Sequence, residues 1–162
     1  MDAKLMNSLI DYHYWANGRM LNAMDGLTPE QFTRDLGSSF PSIQLTLAHM
    51  LNAEAVWLGR ILNEPVARVE PQQIPDVAAV RERWAALEPL FRKAAAGELD
   101  RVVVARTSAG KEFRHPLWEV LHQLSSHGTY HRGQLTTMLR QLGVTPAQMD
   151  LILYYREQSG QA

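Results

Sequence analysis

Residues 117–142 read LWEVLHQLSSHGTYHRGQLTTMLRQL. Leu117, Leu121, Leu124, Leu135, Met138 and Leu142 recur at three- and four-residue steps, and Gly128 and His131 fall in the same stripe. This is the period of a helix with one buried face. Gly143, a residue favoured just past a helix end, closes the run. A helix this long and one-sided needs partner helices to cover its apolar stripe. Within it His127 and His131 stand four residues apart, so their imidazoles differ by about 40° in azimuth and lie one turn apart in height. Ring nitrogens in that relation can converge on a single ion.

Working outward, the partners are legible. Met6, Leu9, Ile10, His13, Asn17, Met20, Leu21 and Met24 mark a first long helix that Gly26 stops. Thr28-Pro29-Glu30 resembles an N-cap with proline at the first helical position and predicts a short turn of helix before the loop Gly37–Pro41. A second long helix runs from near Ser42 to about Asn63, with Ile43, Leu47, Met50, Leu51, Leu58 and Ile61 turned to a core. After a proline-rich loop, Asp76 caps a third, marked by Val77, Val80, Trp84, Leu87 and Phe91, with Pro89 set to kink it. Arg101–Val104 and Lys111–Arg114, around Thr107-Ser108-Ala109-Gly110, predict a small hairpin or extended connection before the fourth long helix. Thr145-Pro146 then opens a short last helix through Tyr155. The expected fold is all-α, a four-helix bundle in one domain over residues 1–162.

Composition narrows the chemistry. The 162 residues contain no cysteine, so any transition metal must be held by nitrogen and oxygen ligands, and a cysteine nucleophile is excluded. A formal net charge of -1 provides no general attraction to phosphate backbones, so nucleic acid is not an expected partner. No run of eighteen apolar residues and no basic-then-apolar leader is present, and the expectation is a soluble cytoplasmic protein without membrane contact.

Two histidines alone are also compatible with core rings bonded to a carbonyl or a tyrosine hydroxyl. Packing two titratable rings side by side in an apolar seam is costly, however, unless something such as a cation satisfies both. Catalytic metal sites take three protein ligands and keep a position open. Periodicity leaves His13, His49 and Glu54 as candidates for the third and slightly favours His13, which lies squarely on its stripe. Gly128 weakens the helix by about 1 kcal/mol relative to alanine, a cost that signals a close approach from a facing group. Gln134, seven residues after His127, is a candidate partner for a ligand ring or a substrate. His122, about 140° from His127, is not expected at the site, and His115 is expected to face solvent. The glutamate that serves as general base in His-Glu-x-x-His proteases is replaced by Gly128.

Tyr130-His131-Arg132-Gly133-Gln134 with His127 before it, and Ser42-Ile43 through Thr46-Leu47-Ala48-His49 with Glu54 and Trp57 after it, resemble the DinB-like (DinB/YfiT-type) metalloenzyme family. Tyr14-Trp15-Ala16-Asn17 is a weaker match, and the resemblance covers nearly the whole chain. It implies a four-helix bundle holding a divalent ion, zinc, nickel, manganese or iron, through His49, His127 and His131. His13, Asn17, Glu54, Tyr130 and Gln134 then become pocket or supporting positions. Relatives include S-transferases using bacillithiol, and mycothiol-dependent maleylpyruvate isomerases are similar in the same bundle. The resemblance therefore implies a metal-dependent enzyme acting on a small molecule, with a low-molecular-weight thiol as co-substrate and a homodimer as the assembly. A metal-dependent hydrolase and a non-catalytic metal-binding protein of a stress response are the alternatives.

Overall fold

The computed structural model describes residues 2–106 and 109–161. Its helices in chain order are α1 (Ala3–Met24), α2 (Pro29–Thr33), α3 (Ile43–Leu62), α4 (Val77–Ala95), α5 (Leu117–Gln141) and α6 (Leu151–Gln158), with strands β1 (Val102–Arg106) and β2 (Glu112–Pro116) between α4 and α5. Local chemistry sets most of the boundaries. The side chains of Asp2, Ser42 and Asp76 accept amide hydrogens at the starts of α1, α3 and α4. Thr28 and Gln31 close a reciprocal capping box on α2. At the other ends, Asn63 takes a left-handed conformation after α3, and Gly143 does so (φ 75°) after α5. α4 continues as one helix through Pro89, whose ring is exposed.

The four long helices form a ring in which α1 packs on α4 and α5, and α3 packs on α4 and α5. Phe91, Met6, Ile10, Met20, Ile43, Leu47 and Leu58 fill the space between them at under 2% exposure. Truncating one such leucine to alanine costs about 2–5 kcal/mol. A smaller cluster of Tyr12, Ala16 and Tyr154 joins α1 to α6.

The hairpin is antiparallel with Val104 opposite Arg114, and Val103 and Ala105 turn inward from β1. The expected turn residues Thr107 and Ser108 lie outside the described residues. The hairpin also starts α5. Pro116 offers no side-chain cap, and the first amides of the helix donate instead to backbone oxygens, Leu117 N to Arg101 O (2.8 Å) and Trp118 N to Leu99 O (3.0 Å).

One boundary differs from expectation. Thr145-Pro146 opens no helix, and residues 144–150 are irregular. The carbonyls of Gln148 and Met149 accept from Arg19 Nε (3.0 Å) and the Tyr12 hydroxyl (2.9 Å), so tertiary donors on α1 occupy them in place of a helical ladder. The helix begins only after Asp150 and runs past Tyr155 to Gln158. No helix among the described residues is long and apolar enough to cross a membrane.

Candidate metal centre

His49, in the second turn of α3, meets His127 and His131 of α5 across the seam between the two helices. His127 Nε2 lies 3.0 Å from His49 Nε2 and 3.0 Å from His131 Nε2. All three ligand atoms fall within 4.8 Å of one another. Phe40, at the end of the loop before α3, stacks on the His49 ring with centroids 4.1 Å apart and planes at 22°. On the far side, His131 Nδ1 is 2.7 Å from Gln134 Oε1. A carbonyl oxygen only accepts, so the ring hydrogen sits on Nδ1 and the Nε2 lone pair faces the centre.

Burial lowers all three imidazole pKa values. Desolvation, followed by the neighbouring His131 and His49, takes His127 from 6.5 to about 4. His49 and His131 also titrate below the ordinary value, chiefly through burial. The three rings are therefore uncharged near neutral pH, the state in which imidazole ligates a metal. The geometry fits a divalent ion as well. A tetrahedral ion with metal–nitrogen bonds of about 2.0–2.1 Å sets its ligand nitrogens about 3.3 Å apart, so the two 3.0 Å separations from His127 would each open by a few tenths of an ångström. Three nitrogens would leave coordination positions for an exogenous ligand.

The other two candidates for third ligand lie behind this cluster. His13 is fully buried, with Nε2 2.9 Å from Glu54 Oε1 and 3.1 Å from Asn17 Nδ2. Trp84 Nε1 donates to Glu54 Oε1 (2.9 Å) and the Tyr14 hydroxyl donates to Oε2 (3.2 Å). Burial, followed by the Glu54 charge, raises the Tyr14 pKa and keeps it a donor. Arg132, 2% exposed, donates through Nη1 to Asn17 Oδ1 (2.9 Å) and through Nη2 to Thr129 Oγ1 (2.8 Å). The buried Glu54 carboxylate thus has donors in His13, Trp84 and Tyr14, and the buried Arg132 guanidinium has acceptors in Asn17 and Thr129, which meets the need of each buried charge for hydrogen-bond partners.

Gly128 is the contact between this network and the triad. A Cβ there would fall 2.6 Å from His13 Cε1, 2.8 Å from His13 Nδ1 and 2.9 Å from Arg132 Nη1. The missing side chain is what lets α1 bring His13 against α5. His13 Nδ1, which lies against this glycine, is buried without a hydrogen-bond partner.

The structure therefore brings His49, His127 and His131 together, with Gln134 beside them. It places His13, Asn17 and Glu54 in the layer beneath. Tyr130 is 66% exposed and meets His131 only edge-on, at 5.1 Å between centroids. His122 is exposed, and His115 bonds to Glu119 near the hairpin. Phe40, Tyr14, Trp84 and Arg132 were not anticipated. Arg132 carried a signal, since it lies four residues after Gly128 and so on the apolar stripe.

Two outcomes follow from this geometry. Gln134→Leu removes the acceptor on His131 Nδ1 and should weaken zinc binding about 10–100-fold, whereas Gln134→Glu retains an acceptor and should bind near wild type. Competition titration with a chromophoric chelator checks both variants. The second outcome concerns pH. Between about pH 6.5 and 4 the unfolded chain protonates His127 while the folded protein does not, so the metal-free protein should lose stability as pH falls through that window. His127→Gln should flatten that part of a plot of Tm against pH, and an unchanged slope would contradict the assignment.

Comparison with known proteins agrees with this architecture. A chain from Bacillus subtilis (strain 168) described as Protein DinB is 28% identical over 157 residues, covering 90% of this chain and 91% of its own length. The crystal structure of a DinB-like protein from Bacillus cereus ATCC 10987 superposes with a TM-score of 0.67 at 19% identity, over 86% of this chain and 92% of the other, and so shares the fold. The model of the DinB family matches residues 1–161. With the bundle, the histidine triad and a match along almost its whole length, the chain belongs to the DinB family.

Proposed function

We propose that His49, His127 and His131 hold a divalent ion and that the protein is a metal-dependent transferase acting on a low-molecular-weight thiol and a carbon electrophile. When bound, the ion would supply Lewis-acid charge that lowers the pKa of a thiol placed against it. The observation that carries the choice of reaction is the position of Glu54. The donor set is three imidazoles with no carboxylate among them. Glu54, 2% exposed, has both oxygens taken up by His13, Trp84 and Tyr14. The carboxylate that could serve a hydrolase as general base is thus committed to the core, and water activation would fall to the ion alone. A thiol brings its own nucleophile.

In the reaction RSH + R′X → RSR′ + HX, the sulfur–carbon bond forms as the C–X bond breaks, and the thiol proton leaves with X. The chain's own part is positional. Gln134 orients His131, Phe40 shields one face of His49, and the buried layer under Gly128 fixes the turn of α5 that carries both remaining ligands.

The test is thiol consumption. Protein purified without a histidine tag and loaded in turn with zinc, nickel, manganese and ferrous iron would be incubated with monochlorobimane and each of bacillithiol, mycothiol, glutathione and cysteine. Conjugation above the His127→Ala background with at least one thiol is expected. If no thiol is consumed above that background with any ion, the reading is wrong.

A further inference from the structure

A cavity of about 560 Å³ opens where the C-terminal half of α5 faces residues 147–150 and the first turn of α6. Thr129, Arg132, Gly133, Thr136 and Arg140 line it from α5, and Arg156 lines it from α6. Gly133 follows His131 by two residues, about 200° around the helix, so this is the face of α5 turned away from the triad. The volume is in the range of small-molecule sites, about 300–1,000 Å³.

The charges of the lining are unbalanced. Arg132 is 2% exposed, yet the side chains that accept its hydrogen bonds, Asn17 and Thr129, are uncharged, and its Cζ stands 5.4 Å over the ring of Tyr12. Among the described residues neither Arg132, Arg140 nor Arg156 has an ion pair. Burial of a cation without an opposite charge in contact costs several kcal/mol, roughly, a cost that an anion in the cavity would offset. Arg140 and Arg156 are exposed, as is Asp150, the acid in the lining. The neutral groups are already engaged. The carbonyls of Gln148 and Met149 accept from Arg19 and Tyr12, and the hydroxyls of Thr129 and Thr136 donate to the carbonyls of Ser125 and Arg132. The guanidiniums are therefore the donors left for a ligand.

Gly133 adds a second observation. A Cβ there would meet no atom of the described residues within 4 Å, so packing within the chain does not require a residue that costs the helix about 1 kcal/mol. Its bare backbone leaves the cavity open.

We propose that this cavity binds a small organic molecule through a phosphate monoester group held among the guanidiniums of Arg132, Arg140 and Arg156, with its carbon body against Tyr12, Met149 and Leu153. Three arginines and one aspartate give the lining a formal charge of +2, the complement of a phosphate monoester, which carries about -1.5 to -2 near neutral pH. A carboxylate has two oxygens and one charge, which a single guanidinium fork satisfies. Three forks from two helices suit a group with three terminal oxygens. The site is separate from the metal centre and stands whether or not the triad takes up an ion.

NMR titration of isotope-labelled, tag-free protein with phenyl phosphate, benzoate and phenol tests it through the backbone amides. Phenyl phosphate should bind and shift the amides of Gly133 and Ile152, and benzoate and phenol should bind at least about tenfold more weakly. Arg140→Gln and Arg156→Gln should each weaken phenyl phosphate binding about tenfold with Tm unchanged, since both side chains are exposed and make no ion pair. Gly133→Leu, which puts a side chain into the cavity, should abolish binding while holding or raising Tm, because leucine favours a helix over glycine. Benzoate binding as tightly as phenyl phosphate, shifts confined to the amides around His127, unchanged affinity in both arginine variants, or full binding by Gly133→Leu would each overturn the proposal.

Discussion

Replacing His127 with alanine should abolish metal retention while leaving the bundle folded. His127 is the central member of the triad, with Nε2 3.0 Å from the Nε2 of each of the other two rings. Structural zinc sites with four ligands contribute roughly 10–16 kcal/mol, or about 2.5–4 kcal/mol per ligand, so the loss corresponds to roughly 10²–10³-fold in affinity. The fold should tolerate the change because the ring is only half-buried at the mouth of the seam. His122→Ala, on the exposed side of the same helix, should retain metal like the wild type. Elemental analysis of tag-free protein, followed by competition titration, distinguishes the two variants. Stoichiometric metal persisting in His127→Ala would refute the assignment of the triad.

Gly128→Ala should lower stability, in the direction opposite to helix propensity. On an exposed helical surface this exchange is favourable by about 1 kcal/mol. Here the new methyl carbon would lie 2.6 Å from His13 Cε1 and 2.9 Å from Arg132 Nη1. Neither obstacle is a free chain end, since His13 is held by Glu54, and Arg132 by Asn17 and Thr129. Overpacking of this kind costs about 1–3 kcal/mol and can exceed that where neighbours cannot yield. A net loss of about 2 kcal/mol would lower Tm by roughly 4–8 °C in a protein of this size. The double mutant with His13→Ala identifies the cause. Once the ring is gone the methyl group has space, so Gly128→Ala in that background should be near neutral or stabilising, giving a coupling energy of opposite sign. Equal costs in both backgrounds would show that the ring is not the obstacle.

The bundle was legible because its evidence is local. The stripe of α5, the caps at Ser42 and Asp76, and Gly143 each act within a turn or two of themselves, and the structure uses each as expected. Which residue joins His127 and His131 was not legible from periodicity. A helical wheel reports azimuth and says nothing about depth along the axis or which neighbour a face meets. His13 sits so squarely on its stripe that it is completely buried, where it serves Glu54. A residue that must reach both an ion and a substrate belongs at the edge of the stripe, where half-buried His49 lies. The resemblance to relatives pointed to His49 where the wheel favoured His13. The start of α6 was missed for a related reason, because the competitors for its backbone carbonyls are side chains of α1 more than a hundred residues away.

The separation of His49 from His127, 78 residues, also bears on when the protein could acquire an ion. An emerging chain exposes His49 long before the last long helix has been synthesised, and the pair on α5 converges only once that segment is helical. Any translation product that ends before His131 lacks the three-nitrogen set. An ion held by all three nitrogens would therefore be taken up only once both α3 and α5 had been made, and the metal pool met at that moment would help decide which ion is carried.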